Sequence, residues 1–433
     1  MKLACVCLVG LLLWTPDVLA KTSEPVAVKV AIHLHSRIST GELEPSQIFS
    51  LAERAGLDGV ILTDSLLRRW EYGLWPVRSL LKWVVEQPSV LTFGPERYLR
   101  TMRRLNEGPA GVVAIAGLEA APFYYWQRSP FDRRGGQIRG GNQHLLILGL
   151  HDPRAIRELP IATCDPYHGN QGARPYQRLI DAVGERGGLV FWAHPAAPFR
   201  VERHGPVEEV VEPYPHLLEL TTNYQGFAIA DLGTLSFVEP GGVWDRLLLA
   251  YCRGTRTHPT WIIGELDWRN PRQRPLDQMV TQLLVTERSI PAILQALRMG
   301  RMWVVFRIKA QAPTLSRFTL TDEGRLQEAT MGDTLTSNGP IHIHAAGERM
   351  MAADAVHILL VKDGQVIQTE DIREARFDLE WTDPVSTRPS VYRVIIKDST
   401  GLIYTNPIFV NLASSLASLG MKSSVSGRNP ERQ

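Results

Sequence analysis

Between Ala27 and about Arg307, short apolar runs rich in β-branched residues alternate with longer stretches of helical period. The strand candidates are AVKVAIHL, GVILTD, VVAIAGLE, HLLILGL, GLVFWAHP, LLELT and TWIIGELD. The helix candidates are PSQIFSLAERAG, PERYLRTMRRLN, PYQRLIDAVGERG and VWDRLLLAYCRG, most of which begin with proline and end on glycine. This alternation predicts an α/β fold whose parallel sheet or barrel is buried on both faces.

The pattern changes after about Arg307, where hairpins replace the alternation. HILLVKDGQVIQT turns at its Asp-Gly pair, and VYRVIIKDSTGLIYTNPIFV turns at its Ser-Thr-Gly. We therefore predict a barrel domain over residues 21–308 and a small all-β sandwich domain over 309–412, with no sheet shared between them. Residues 413–433, rich in Ser, Gly and Arg, are expected to be a disordered tail.

The first twenty residues have the pattern of a secretory signal peptide. Lys2 precedes an apolar stretch, and Val18-Leu19-Ala20 suits cleavage near Ala20. No later stretch is apolar for long enough to predict a membrane span. The expected location is therefore secreted or periplasmic.

Net charge and cysteine content bear on the expected partners and on disulfide bonding. The formal net charge of +2 gives no reason to expect a nucleic acid or an acidic membrane as the main partner. Cys164 and Cys252 remain after removal of the predicted signal peptide, and one disulfide between them is possible but not established by the sequence.

His33 and His35 end the first predicted strand. Residues i and i+2 of a regular strand face the same side, and the carboxyl ends of the strands are where an α/β barrel has its active site. His342 and His344 have the same spacing in the all-β part, but there the histidines alternate with isoleucines, which predicts a half-buried strand with its histidines towards solvent. The spacing alone therefore does not predict a metal site.

Further metal-type side chains lie at the edges of the other strand candidates. Buried strand ends do not accept charged or imidazole groups without partners, so convergence on a metal would explain them. His144 fits this rule least well, because it begins its run. The residues are Asp64, Glu119, His144, His194 and Asp267.

The run HLHSRISTGELEPSQIFSLAERAGLDGVILTD resembles the first two motifs of the PHP (polymerase and histidinol phosphatase) family of metal-dependent phosphoesterases, whose usual form is HxHTxxSDGxxxPxExxxxAxxxGLDxxxxTDH. The later motifs GLE, HLL, AHP and GELD follow in order, as in the secreted metallohydrolase branch of that family. The resemblance covers about Ala27 to Arg307. It implies a distorted (β/α)7 barrel with two or three divalent metals at the strand ends.

The resemblance also implies a ligand set. One metal would be bound by His33, His35, Glu119 and Asp267, with Glu119 bridging to a second metal. His144 and His194 would hold that second metal. A register shifted by one residue in GELD would put Leu266 at the place of Asp267.

The family's third metal depends on residues that this chain has replaced. Thr40 stands where SDG has its acidic residue, Ser65 where TDH has histidine, and Arg269 where the final motif has histidine. We therefore expect two divalent metals.

The residue types support a hydrolytic centre independently. Imidazole and carboxylate ligands in this mixture suit Zn²⁺, Mn²⁺ or Fe²⁺. Two such ions lower the pKa of a shared water and stabilise charge on the reacting oxygens, so Glu119 and Asp267 are also the predicted catalytic residues. Asp64 either orients a histidine of the first strand or caps the following turn.

Arginines follow several strand ends and are candidates for binding a substrate phosphate, chiefly Arg269, Arg37 and Arg68, with Arg69 beside them. For each of them, simple solvation at the surface is the alternative. Residues 124–143 join aromatic residues, arginines and glycines, which predicts a mobile lid or, alternatively, merely a long loop.

These observations together predict a secreted metal-dependent phosphoesterase that acts on a small-molecule phosphate ester. The alternatives are hydrolysis of a carboxylic or carbamic ester at the same centre, and a binding protein whose partly degenerate site has no turnover.

Overall fold

The computed structural model describes residues 25–412 apart from 79, 109–110, 162–168, 231, 310, 323–326 and 350–353. The predicted signal peptide, the predicted tail and Cys164 lie outside these residues, so the expectations for them stay predictions. Across the described ranges, no helix combines the length and apolar character that crossing a bilayer requires.

The part of the chain up to Arg307 is mixed α/β. Its strands are β1 (Val26–Leu34), β2 (Gly59–Leu62), β3 (Arg68–Gly73), β4 (Lys82–Gln87), β5 (Val113–Ala120), β6 (Tyr125–Arg128), β7 (Gly136–Arg139), β8 (Leu145–Leu148), β9 (Leu189–Trp192), β10 (Arg200–His204), β11 (Val207–Val211), β12 (Gly226–Ile229), β13 (Trp261–Gly264), β14 (Met279–Val285) and β15 (Met302–Arg307). Its α-helices are α1 (Pro45–Arg54), α2 (Val90–Phe93), α3 (Pro95–Leu105), α4 (Pro153–Arg157), α5 (Arg174–Glu185), α6 (Pro215–Leu220), α7 (Val243–Cys252) and α8 (Ile290–Met299).

The regular elements described after Arg307 are all strands. They are β16 (Thr314–Asp322), β17 (Gln327–Thr330), β18 (Thr334–Ser337), β19 (Ile341–Glu348), β20 (Val356–Lys362), β21 (Gln365–Ile372), β22 (Arg376–Asp383), β23 (Ser390–Lys397), β24 (Gly401–Thr405) and β25 (Ile408–Leu412).

The four predicted helices form as α1, α3, α5 and α7. In α1, Pro45 occupies the first turn, Glu44 and Gln47 form a capping box, and Ile48 and Phe49 are buried. Local signals of this kind set helix ends before any tertiary contact is made, since proline suits the first turn and the capping box satisfies free N–H groups there.

Six of the seven predicted strands form, but the assignment of LLELT is wrong. That run lies mostly in α6, which begins at Pro215 and in which Leu217 and Leu218 are buried. The strand is instead the next apolar run, Gly226–Ile229, which is buried throughout as β12. A short apolar run does not distinguish helix from strand by periodicity, so the proline was the better signal.

The mixed α/β class is confirmed, but the ladders do not form a closed ring of seven parallel strands. β8 runs antiparallel to both β5 and β9. The N-terminal half of β1, Val26–Val30, pairs with antiparallel β14. The C-terminal half instead binds the segment after β13, where the Leu266 N–H donates to the Ile32 carbonyl at 3.0 Å and the His35 N–H to the Trp268 carbonyl at 2.8 Å. The ring is therefore closed only at its carboxyl end.

The expectation that the two parts share no sheet is wrong. β15 pairs antiparallel with β24, so one sheet continues from the first part into the second. Arg393 of β23 also donates to Asp245 of α7 at 2.7 and 2.9 Å, and both side chains are buried. An edge strand left by the first part is thus paired, which protects it from aggregation.

The remaining strands form smaller sheets. β17, β16, β19 and β22 form a four-stranded antiparallel sheet in the all-β part. β3 pairs with β4, and β6, β7, β11 and β10 form another four-stranded sheet. The segment 124–143 is thus a hairpin, β6 to β7, and not a long irregular loop.

Candidate metal centre

The structure brings the six predicted ligand residues together in two groups that share Glu119. In each group, one ligand atom per residue lies within 4.8 Å of the others. The first group is His33, His35, Glu119 and Asp267, and the second is Glu119, His144 and His194. This is the division into two metal sites that the sequence motifs imply.

A bulge at His33 aims the first histidine pair. The register between β1 and β2 shifts between Ile32 and Leu34, and His33 has a φ of 68°. The Nε2 atoms of His33 and His35 lie 3.2 Å apart. The two rings meet as predicted, but the predicted cause, regular strand alternation, is wrong. The bulge turns the backbone at that point and brings the rings together.

Three of the six residues have left-handed backbone conformations, His33, His194 and Asp267, with φ values of 68°, 31° and 43°. Such conformations are costly for residues other than glycine and persist where the surrounding structure holds them in place. Their concentration at one cluster indicates a functional site.

Glu119 lies between the two groups. Its Oε1 is 2.7 Å from His144 Nδ1 and 3.1 Å from His33 Nε2, and its Oε2 is 3.6 Å from His35 Nε2. Burial opposes ionisation of this carboxyl, but the neighbouring imidazoles of His144 and His35 hold its pKa well below the usual range. An ionised carboxylate with two accessible oxygens is suited to bridge two cations.

The antiparallel direction of β8 explains the position of His144. Because β8 runs opposite to its neighbours, the residue that precedes it lies at the same edge as the residues that end β1, β5 and β9. His144 Nδ1 is 3.3 Å from His194 Nε2. The residue that fitted the sequence rule least well therefore lies in the cluster.

The structure also distinguishes Asp267 from Leu266. Asp267 Oδ1 is 3.4 Å from His35 Nε2 and 3.8 Å from His33 Nε2. Leu266 is fully buried in the apolar core. The unshifted register of GELD is thus the one that contributes to the cluster.

Glu265 is a site residue that sequence reasoning missed. Its Oε2 accepts from His33 Nδ1 at 2.6 Å, and its Oε1 accepts from the His194 backbone N–H at 2.6 Å. Burial opposes protonation of His33, but the charge of Glu265 raises the His33 pKa well above its usual value. A second acidic residue inside the buried run WIIGELD was the available signal.

Asp64 organises the turn that follows β1. It accepts from the Ser36 N–H at 2.8 Å, the Ser36 hydroxyl at 2.7 Å and the Ser39 hydroxyl at 2.6 Å. His35 Nδ1 lies 3.3 Å from the same Ser39 oxygen. Asp64 therefore fulfils both predicted roles, since it holds the turn and orients His35 through Ser39. A Cβ on Gly41 would lie 2.0 Å from the His35 carbonyl oxygen, so this turn requires glycine.

The hydrogen-bond network directs the ring nitrogens of both first-strand histidines. Since the Ser39 hydroxyl proton is donated to Asp64, His35 Nδ1 is the donor to Ser39, which leaves His35 Nε2 as a free acceptor. His33 Nδ1 donates to Glu265 in the same way. Both Nε2 atoms thus present lone pairs to the first group, which is the form that binds a metal.

Of the three residues that depart from the motif pattern, Ser65 and Arg269 contact the two groups, whereas Thr40 forms no hydrogen bond to them. The Ser65 hydroxyl donates to Glu119 Oε2 at 3.1 Å, and an Arg269 guanidinium nitrogen is 3.1 Å from Asp267 Oδ1. The Asp267 carboxylate raises the Arg269 pKa. Thr40 is partly buried, and its hydroxyl forms no hydrogen bond to the described residues.

The predicted substrate arginines differ in position. The Arg37 side chain is 64% exposed and lies 3.6 Å from Glu44, so the structure does not bring it to the two groups. Arg69 pairs with Glu71 at 2.6 Å. Arg68 and Arg69 line a cleft that also contains Glu119 and His144. Other side chains lining this cleft are Ser65, Trp70, Tyr124 and Glu209.

The donor set fits two divalent cations. Two pairs of ring nitrogens face each other at 3.2 and 3.3 Å beside carboxylates, and at most one nitrogen of each facing pair can donate a proton to the other. Asp267 Oδ1 is buried without a hydrogen bond to the described residues and has the Arg269 guanidinium 3.1 Å away. Cations coordinated between these nitrogens and oxygens would satisfy atoms that are otherwise costly to bury.

Comparisons with solved structures find proteins of related description. One is a two-domain protein of Bacteroides vulgatus described as containing a predicted PHP-like metal-dependent phosphoesterase; it is 16% identical with a TM-score of 0.39, and the alignment covers 88% of this chain and 95% of that chain. Another, from Bifidobacterium adolescentis, has the provisional name metal-dependent phosphoesterase, with 16% identity, a TM-score of 0.31 and coverage of 58% and 91%. Both descriptions name the class of protein that the sequence motifs resemble.

Comparison with curated proteins finds a different and shorter match. The chain is 32% identical over 113 residues to the "Probable cation-transporting ATPase G" of Mycobacterium bovis and of Mycobacterium tuberculosis. This covers 25% of the chain and 14% of those relatives, so the chain spans about one seventh of their length. No family model matches the chain.

Proposed function

We propose that this protein is a metal-dependent phosphoesterase with a two-metal centre. The observation that supports this most directly is the convergence of six residues, from five separate stretches of the chain, into two groups that share Glu119. His33, His35, Glu119 and Asp267 would hold one divalent ion, and Glu119, His144 and His194 the other. Zn²⁺, Mn²⁺ and Fe²⁺ all suit this mixture of nitrogen and oxygen donors.

Two divalent ions held by these residues would supply a water of lowered pKa and would stabilise negative charge on entering and leaving oxygens. The residues of the chain prepare the site for this chemistry. Glu265 and Ser39 each accept a hydrogen bond from the Nδ1–H of a first-strand histidine, and the Ser65 hydroxyl donates to Glu119. Because these partners are themselves buried, the ligands keep their orientation before substrate binds.

Arg269 is proposed to bind the anionic group of the substrate. It follows the Asp267 ligand and lies beside its carboxylate, at the position where the family has its third-metal histidine. A guanidinium is charged at all working pH values and can bind two oxygens at once. It would supply part of the positive charge that a third cation supplies elsewhere. Export by a signal peptide over residues 1–20 is part of the same proposal.

The deciding experiment combines metal analysis with a substrate panel. Purified protein should contain about two equivalents of divalent metal, and it should hydrolyse chromogenic phosphate esters and lose that activity to a chelator. If the protein hydrolyses carboxylic or carbamic esters but no phosphate ester, the phosphoesterase proposal is wrong and the protein is a carboxylic or carbamic ester hydrolase. Metal binding with no turnover on any ester would support a binding protein.

A further inference from the structure

Arg68 differs from the other arginines of the cleft in its contacts. Its Nε donates to Gln87 Oε1 at 2.8 Å, and its guanidinium carbon lies 5.5 Å from the centre of the Trp70 ring. A terminal nitrogen is 3.4 Å from His204 Nδ1. Within the described part of the chain it forms no ion pair, whereas Arg69 binds Glu71 and Arg269 lies beside Asp267. Arg68 is therefore a positioned cation with no carboxylate in ion-pair contact among the described residues. Glu209 lies near enough for the Arg68 charge to help lower the pKa of that carboxyl against the opposing effect of burial, after the larger effect of His204.

The His204 ring is itself held in place. It stacks on Trp70 with ring centres 5.1 Å apart and an interplanar angle of 18°, and its Nε2 is 2.8 Å from Glu209 Oε2. A guanidinium can only donate, so His204 Nδ1 accepts from Arg68 and the ring proton lies on Nε2, where it is donated to Glu209. Glu209 thereby selects the tautomer of His204 that can hold Arg68.

His204 and Glu209, together with Glu202, could alternatively form a metal site. Glu202, His204 and Glu209 each offer a ligand atom within 4.8 Å of the others, and Glu209 Oε1 is buried without a hydrogen bond to the described residues. A metal here would need the Nε2 lone pair of His204. The hydrogen bonds place a proton on that nitrogen, and the adjacent Arg68 charge would repel a cation, so the geometry favours the positioning role.

We propose that His204, oriented by Glu209, is a positioning residue that holds Arg68 as an anion-binding residue for the substrate phosphoryl group. Arg68 lines the same cleft as Glu119 and His144, so an anion in that cleft can bind the guanidinium close to the two-metal centre. Because the guanidinium is already held by Gln87, Trp70 and His204, binding an anion costs little further ordering. The inference rests on the proposed function only in identifying that anion as the substrate's phosphoryl group.

The test measures anion binding and turnover separately in the metal-loaded full-length protein. Inorganic phosphate is the probe for binding, and a chromogenic phosphate monoester is the probe for turnover. We expect Arg68→Ala to weaken phosphate binding and to raise KM, each by about 30-fold. His204→Ala should change the same two quantities by about tenfold, and kcat should change by less than about threefold in both variants. The double variant should be no worse than Arg68→Ala alone, since His204 acts only through Arg68.

Two further variants distinguish positioning from a general structural role. His204→Asn keeps an acceptor near the place of Nδ1 and should recover most of the phosphate affinity that His204→Ala loses. His357, an exposed histidine that binds Asp371 in the all-β part, is the matched control, and His357→Ala should leave phosphate affinity and kinetics unchanged.

Three outcomes would overturn the inference. Loss of a third metal equivalent in His204→Ala would identify Glu202, His204 and Glu209 as a metal site. Additive effects of Arg68→Ala and His204→Ala would show that the histidine acts independently of the arginine, and no recovery in a folded His204→Asn would remove the acceptor role. If the wild type hydrolyses no phosphate ester, the proposed function fails, while phosphate binding still decides the role of His204.

Discussion

The chain contains two His-x-His motifs on strands, and the structure places them in opposite surroundings. His33 and His35 end β1, are fully buried and face carboxylates. His342 and His344 lie within β19, where Ile341 and the next isoleucine are buried and the histidines are partly exposed, as their alternation predicts. His344 binds Asp378 of β22, and His342 lies 3.2 Å from the Thr382 hydroxyl.

The difference shows that the spacing of two histidines carries little chemical information. β19 is a regular interior strand, so its histidines face outwards and their partners are surface groups. At His33 the bulge, the positive φ and the end of the strand turn both rings inwards towards Glu119. Position and backbone distortion, and not the motif, make the metal-binding geometry.

The largest expected effect separates the two motifs directly. His33→Ala removes a ligand of the first group and should lower kcat/KM for phosphate esters by about 10³-fold or more, with loss of about one metal equivalent. His344→Ala is the matched control and should leave both quantities unchanged. Steady-state kinetics and metal analysis of both variants test this. Equal losses of activity and metal in the two variants would contradict the assignment of the metal site to the first motif.

The next effect concerns the cation beside the first group. Arg269→Ala should lower kcat/KM for phosphate esters by about 10²-fold, or about 2 to 3 kcal/mol, without changing the metal content. The loss is expected because the guanidinium compensates charge that develops on the phosphoryl group. Unchanged kinetics would instead favour a neutral ester as the substrate.

A smaller effect is expected at Glu265, whose buried carboxylate orients His33. Glu265→Gln weakens the hold on His33 Nδ1 and should lower metal affinity by about 10 to 100-fold. Glu380 lies opposite His344 in the β19–β22 ladder, so Glu380→Gln is the matched change and should have no effect. Titration with a competing chelator measures both, and equal affinities in wild type and Glu265→Gln would exclude the orienting role.

The pH dependence of metal binding should follow the His33 pKa. In the metal-free protein Glu265 raises that pKa above its ordinary value, despite the opposing effect of burial, so a proton must leave before the metal binds. This proton stabilises the metal-free fold below the unfolded pKa, and the contribution is lost as pH rises through the folded pKa. Metal affinity should therefore rise by about tenfold per pH unit and per displaced proton between about pH 6 and the raised pKa. A flat profile in a chelator competition would contradict this.

The smallest effect is on stability in the all-β part. His344 and Asp378 form a partly exposed pair, so His344→Ala should change the free energy of unfolding by about 0.5 kcal/mol or less. Denaturant unfolding measures it. A change above about 2 kcal/mol would mean that β19 depends on its histidines more than its burial pattern indicates.

Local signals in the sequence determined much of this protein. Each of the four predicted helices was marked by proline in its first turn, by glycine after its last turn, or by both. The Asp363-Gly364 pair predicted the turn between β20 and β21, where both residues have positive φ. The resemblance to the PHP motifs implied the six ligand residues, and the cost of burying metal-type side chains at apolar strand ends without partners agreed with most of them. Each of these signals acts within a few residues of the chain, so each can be seen in the sequence alone.

Only the tertiary structure decided the features that depend on distant segments. The direction of β8, the continuation of the sheet from β15 into β24 and the bulge at His33 all follow from which strands become neighbours. Glu265 binds a histidine 232 positions away, and Arg68 contacts His204 across 136 positions. Neither contact has a local pattern, because the free energy that fixes it comes from burial and hydrogen bonds formed when those segments pack together.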